Sequence, residues 1–141
     1  MTSEVKMELT HIEHIGIAVK NLNESIKFYE TVLGLKCYSL EEVKDQKVRT
    51  AFFKIGDTKI ELLESTEPDG PIAKFIEKKG EGIHHIAYAV NNLKEAIKEA
   101  ESKEIQLIDK EPRKGAEDLN IAFIHPKSAN GVLIELCELK K

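Results

Sequence analysis

The chain writes one hydrophobic–polar pattern twice. His14-Ile15-Gly16-Ile17-Ala18-Val19 alternates with a period of two residues, and His85-Ile86-Ala87-Tyr88-Ala89-Val90 does the same at an offset of 71. Alternation of this kind predicts a β-strand with two unlike faces. Ile15, Ile17 and Val19 make an apolar face in the first copy, and Ile86, Tyr88 and Val90 make its counterpart. The opposite faces carry a histidine followed by small residues: Gly16 and Ala18 after His14, Ala87 and Ala89 after His85. Small side chains beside an imidazole are expected to leave open space, as a ligand site requires.

After each strand the period lengthens to that of a helix. Leu22, Ile26, Tyr29 and Leu33 recur at helical spacing, and so do Leu93, Ile97 and Ala100. Asn21 and Asn92 precede these stripes as caps, and Glu24 and Glu95 follow in the order of a capping box. Gly34 is expected to end the first helix in a left-handed conformation. Further strands are predicted over 36–43, 48–55 and 58–64, with Gly56-Asp57 as a turn, and over 105–110, 119–125 and 131–138. Residues 67–71 read as a loop, 72–79 as a short helix, and 111–118 as a loop rich in Pro, Gly and charge. Residues 1–9 read as frayed or edge-pairing. The expected fold class is therefore α+β: two tandem β-α-β-β-β modules in a single domain over 1–141. Module one spans about 10–66, a linker 67–81, and module two about 82–138. Two copies are too few for a solenoid, so a duplicated module about a pseudo-twofold axis is the simpler account.

Alternation also aims the acids. Glu61 lies opposite Ile60 and Leu62, and Glu135 lies opposite Ile134 and Leu136. Each module thus puts one His and one Glu on the face turned away from its helix. Singly, each residue has an ordinary explanation: a hydrogen-bonded core histidine, or a solvent-facing strand glutamate. Repetition at equivalent positions singles them out as a set mixing imidazole with carboxylate, which suits a divalent ion such as Co²⁺, Mn²⁺, Ni²⁺ or Zn²⁺. His84 has the opposite parity to His85 and His11 precedes the repeated pattern, so neither joins the set. His125, before Pro126, is expected to order a turn.

Composition narrows the classes. With 41% hydrophobic residues, 141 residues suffice for the core of one domain. A net charge of −4 argues against bulk binding to nucleic acid or to an anionic membrane, but leaves room for a local basic cluster around an anionic small molecule. No apolar run is long enough to span a bilayer and no charged-then-apolar leader is visible, which gives a cytoplasmic expectation. Cys37 and Cys137 lack motif spacing and read as reduced packing residues.

These motifs carry a family resemblance. His11 through Val19, Phe28-Tyr29 through Gly34, Lys59-Ile60-Glu61-Leu62-Leu63, Pro71 through Phe75, Gly82 through Ala87, and His125-Pro126-Lys127-Ser128 with Gly131 through Leu136 resemble the vicinal oxygen chelate superfamily, and within it the methylmalonyl-CoA epimerase family. The resemblance implies an eight-stranded, incompletely closed β-sheet cup around a metal. It implies His14, Glu61, His85 and Glu135 as metal ligands, with Glu135 also carrying a proton. It further implies Lys127 and Ser128 at the coenzyme A moiety, an acyl-CoA thioester as substrate, and a homodimer. Co²⁺ or Mn²⁺ is the expected ion, with Ni²⁺ or Zn²⁺ as alternatives.

The implied activity interconverts (R)- and (S)-methylmalonyl-CoA by moving the proton on C2. A cation shared by the thioester and carboxylate oxygens would stabilise the enolate and fix the C–H bond. Inversion needs an acid or base on each face, and Thr50 stands where some relatives carry a second Glu. A water held by Thr50, Glu61 itself, or a carboxylate from the 41–45 loop are the substitutes. Arg113 and Lys114 are further basic candidates for the CoA rim. The rival readings are a glyoxalase-type lyase or isomerase, and a metal-free small-molecule binding protein of the same fold. An extradiol dioxygenase is disfavoured because it would leave the position of Glu61 vacant.

Overall fold

The structure, a computed structural model, describes residues 7–140; the expectation for residues 1–6 lies outside the described residues. The elements run β1 (Leu9–Ala18), α1 (Leu22–Thr31), β2 (Ser39–Val43), β3 (Val48–Ile55), β4 (Thr58–Ser65), α2 (Pro71–Lys79), β5 (Gly82–Val90), α3 (Leu93–Ser102), β6 (Arg113–Lys114), β7 (Asn120–Ile124) and β8 (Ile134–Glu138). The strands form one mixed sheet of eight in the order β2-β3-β4-β1-β5-β8-β7-β6. Contact density divides the described chain into two units, His14–His85 in one and the residues up to Glu13 with those from Ile86 onward in the other. Among the described residues no helix is long and apolar enough to cross a membrane.

In the His14–His85 unit, the apolar face of β1 packs under α1. Val19, Leu22, Ala51, Phe53 and Leu62 form this core, with Ile17, Ile26 and Tyr29 against it. The other face of the sheet meets α2 through Ala18, Val48, Leu63 and Ile72. In the other unit, Val90, Leu93, Ala96, Ile97, Ala122 and Leu136 repeat the α1 arrangement beneath α3. Burying such side chains is what holds amphipathic helices to a sheet, at about 1.5–3 kcal/mol for each large aliphatic residue.

The duplication extends to the helix ends. Asn21 Oδ1 accepts from Glu24 N at 3.0 Å, and Asn92 Oδ1 accepts from Glu95 N at 3.1 Å. One step back, Leu22 N donates to Glu64 of β4 at 2.9 Å, and Leu93 N donates to Glu138 of β8 at 3.4 Å. In each module the last strand thus returns a carboxylate to the first turn of the helix, where the amides have no helical partner and the dipole favours negative charge.

The structure corrects several expectations, among them the strand over 131–138, which begins only at Ile134. Helix α1 ends at Thr31, before Gly34, although Gly34 does adopt a left-handed φ of 70°. Strand β2 begins at Ser39 and not at residue 36. The predicted strand over 105–110 is absent, reduced to one bridge between Leu107 and Ile124. Side chains take the amides that would extend the ladder on both sides: Phe123 N donates to the Asp109 carboxylate at 2.8 Å, and Gln106 N donates to Ser128 Oγ at 2.8 Å. The edge strand forms later, as β6 at Arg113–Lys114, inside the predicted loop. Its Arg113 side chain is held by Asp109 at 3.1 Å.

Because the two caps are equivalent, Asn21→Ala and Asn92→Ala should each lower the unfolding free energy by about 1 kcal/mol, seen as a shift of the urea midpoint at unchanged slope. An unchanged midpoint in either variant would show that the Glu64 or Glu138 carboxylate alone carries that helix start.

Candidate metal centre

Strand alternation and the paths of β1 and β5 bring two buried imidazoles face to edge. His14 is 3% exposed and His85 5%. Their Nε2 atoms lie 3.0 Å apart, with ring planes at 89°. Glu61, also buried, sets Oε2 3.1 Å from His14 Nδ1. The parallel register explains how it arrives, since Gly16 pairs with Glu61 across β1 and β4. A carboxylate can only accept, so the Nδ1 proton of His14 is fixed and its Nε2 is turned to the pair.

The small residues beside these histidines do not leave open space. A Cβ on Gly16 would collide with Cε1 of the His85 ring and would lie 2.6 Å from its Nδ1. The His85 ring thus occupies the volume that a side chain on Gly16 would need. Ala18, Ala87 and Ala89 are likewise fully buried in packed surroundings. Ala18 packs with Ile72 of α2, and Ala87 with Ile121, Phe123 and Cys137.

His84 is the residue that sequence parity excluded and the structure brings in. Its Nδ1 lies 2.9 Å from His85 Nδ1, its ring meets His85 edge-on at 5.1 Å, and it meets Phe75 of α2 at 5.0 Å. The His-His doublet was its signal; strict alternation hid it.

Glu135 belongs to the other unit. It sits on β8 across from Ala87, as Glu61 sits across from Gly16, so the register repeats between the modules. It is buried, and the Cys137 thiol donates to its Oε2 at 2.8 Å. Both cysteines are free, and Cys137, expected to pack only, also holds a carboxylate. Thr50 is 1% exposed on β3, where its strand partners are Leu63 and Glu41.

Lys127 and Ser128 lie in a 3-10 turn, both exposed. His125 orders this turn as expected, its Nδ1 accepting from Lys127 N at 3.0 Å, while Ser128 Oγ accepts from Gln106 N at 2.8 Å. Arg113 lies 5.4 Å over the Phe123 ring as well as beside Asp109, and Lys114 lies 3.6 Å from Asp118. These acids offset much of the charge that the two residues would bring to an anionic ligand.

The chemistry of the donor set fits a divalent metal. Two buried imidazole nitrogens face each other, and a buried carboxylate holds the far nitrogen of one. Buried His and carboxylate donors in this combination are what intermediate divalent ions select.

Residues 13–123 match the family model of the glyoxalase/bleomycin resistance protein/dioxygenase superfamily. The chain belongs to this superfamily. It is 36% identical over 129 residues to the mitochondrial methylmalonyl-CoA epimerase of Homo sapiens, covering 91% of this chain and 73% of that protein. It is 48% identical over 132 residues to the uncharacterized protein YqjC of Bacillus subtilis (strain 168), covering 94% of each. A solved methylmalonyl-CoA epimerase in complex with methylmalonyl-CoA and NH4+ superposes with a TM-score of 0.90 at 36% identity, over 93% of this chain and 95% of that one. The resemblance read from the motifs is therefore borne out along most of the chain, in sequence and in fold.

Gly16→Ala tests the contact at the centre of this site. Overpacking against a buried ring should destabilise the protein by about 1–3 kcal/mol, read as a fall in melting temperature, and shift the His85 ring resonances. Wild-type melting with unmoved His85 signals would mean the ring does not rest on Gly16.

Proposed function

We propose that this chain is a metal-dependent methylmalonyl-CoA epimerase, interconverting the (R) and (S) thioesters by proton transfer at C2. The observation that carries the reading is the buried His14–His85 pair, Nε2 to Nε2 at 3.0 Å, in a chain similar over most of its length to such epimerases. In this reading His14, Glu61, His85 and Glu135 hold a divalent ion, Co²⁺ or Mn²⁺ in the first place. A divalent ion held there would supply Lewis-acid charge that lowers the cost of removing the C2 proton.

The protein's own groups do the rest. Glu135 takes and returns the C2 proton at one carboxylate oxygen, while the Cys137 thiol, 2.8 Å from Oε2, restrains the other. The carrier for the opposite face is Glu41. It pairs with Thr50 across β2 and β3, and Phe52, two residues along β3, pairs with Glu61, so alternation puts Glu41, Thr50 and Glu61 on one face. Thr50 itself, a hydroxyl of high pKa, is no general base at neutral pH. Lys127 and Ser128, exposed on their turn, meet the coenzyme A moiety. The two modules act as one domain, and the chain works as a homodimer in the cytoplasm, where its two free cysteines stay reduced.

Incubation of the cobalt-loaded protein with (S)-methylmalonyl-CoA in D₂O should place deuterium at C2 and generate the (R) form. No exchange, together with turnover of the methylglyoxal–glutathione adduct, would replace this reading with a glyoxalase-type one. Glu135→Gln should lower the exchange rate by about 10²–10⁴-fold. His85→Ala should lose bound metal; metal retained at wild-type content in both variants would mean the ligands are misassigned.

A further inference from the structure

Within the metal-dependent reading, we infer that His84 is a positioning residue for the centre: its Nδ1 accepts a hydrogen bond from Nδ1–H of metal-ligating His85 and so turns His85 Nε2 toward the ion. The two Nδ1 atoms lie 2.9 Å apart, and one of them must carry the proton. His85 presents the other nitrogen, Nε2, to His14 Nε2 at 3.0 Å. An imidazole that binds through Nε2 keeps its proton on Nδ1. In the loaded state His85 is then the donor and His84 the acceptor, which puts the proton of neutral His84 on its Nε2.

The neighbouring contacts fix the acceptor in place. Phase of the strand would send His84 away from His85, yet the ring is held edge-on to His85 at 5.1 Å and edge-on to Phe75 at 5.0 Å. Phe75 comes from α2, which is itself packed on the sheet through Ile72 against Ala18, Val48 and Leu63. Helix α2 therefore has a task beyond covering the sheet, since it clamps the ring that orients a ligand. The same division of labour operates on His14, whose Nδ1 faces Glu61 at 3.1 Å. Each imidazole of the pair has an acceptor at its far nitrogen, and groups in that position tune metal affinity.

Two variants separate the hydrogen bond from the packing. His84→Phe keeps a ring for Phe75 but has no nitrogen; His84→Asn offers an oxygen near the place of Nδ1. By calorimetric titration with Co²⁺ alone, His84→Phe should bind about 10- to 100-fold more weakly than wild type, and His84→Asn should stay close to wild type, with both still unfolding cooperatively in the metal-free form. In the Zn²⁺-loaded wild type, ¹⁵N NMR should find His84 unprotonated at Nδ1 and His85 protonated there. His84→Phe binding Co²⁺ as tightly as wild type, or a proton on His84 Nδ1 in the Zn²⁺ form, would overturn the role of His84 and leave the metal reading standing. Wild-type protein that takes up neither ion would overturn both.

Discussion

The site depends on one constraint: two imidazoles must meet edge to face in the dry interior of a sheet. Burying polar nitrogen costs free energy unless each atom finds a partner, and an orphaned group costs about 1–3 kcal/mol. The surroundings of His14 and His85 meet this demand in full. Glu61 stands at one far nitrogen, His84 at the other, and the two Nε2 atoms at each other. Among the described residues no buried side-chain nitrogen or oxygen lacks a hydrogen-bond partner. The steric side of the same constraint falls on Gly16, where even a methyl group would strike the His85 ring.

Duplication explains why so short a chain supports such a centre. Each module delivers a His from its first strand and a Glu from its last, the Glu in register with the small residue two places beyond the His. Each module also sends a second carboxylate, Glu64 or Glu138, from the last strand to the start of its helix. The last strand therefore anchors the helix and presents the acid at once. The modules diverge where repetition has no such double use. Module one completes its sheet edge with the five-residue β2, whereas in module two side chains take the amides of the equivalent run and the edge is a two-residue β6.

The carboxylates differ in their support. Glu61 leans on an imidazole, Glu135 on the Cys137 thiol. A thiol is a weak donor.

Period-two alternation in the residues around His14, His85, Glu61 and Glu135 determined the strands, their inward faces and the pairing of donors, because side-chain direction in a strand follows from backbone pleating alone. The helix starts were equally legible, since Asn21 and Asn92 act within a few residues of themselves. Three things were decided only by tertiary structure. The volume beside Gly16 is filled by a ring from 69 residues away, which no local pattern registers. Asp109 and Ser128 take the amides of Phe123 and Gln106 that would extend a ladder. His84, on the wrong parity for the cup face, reaches His85 because Phe75 from α2 holds its ring there. In each case a side chain from a distant segment overrides the direction or conformation that local spacing sets.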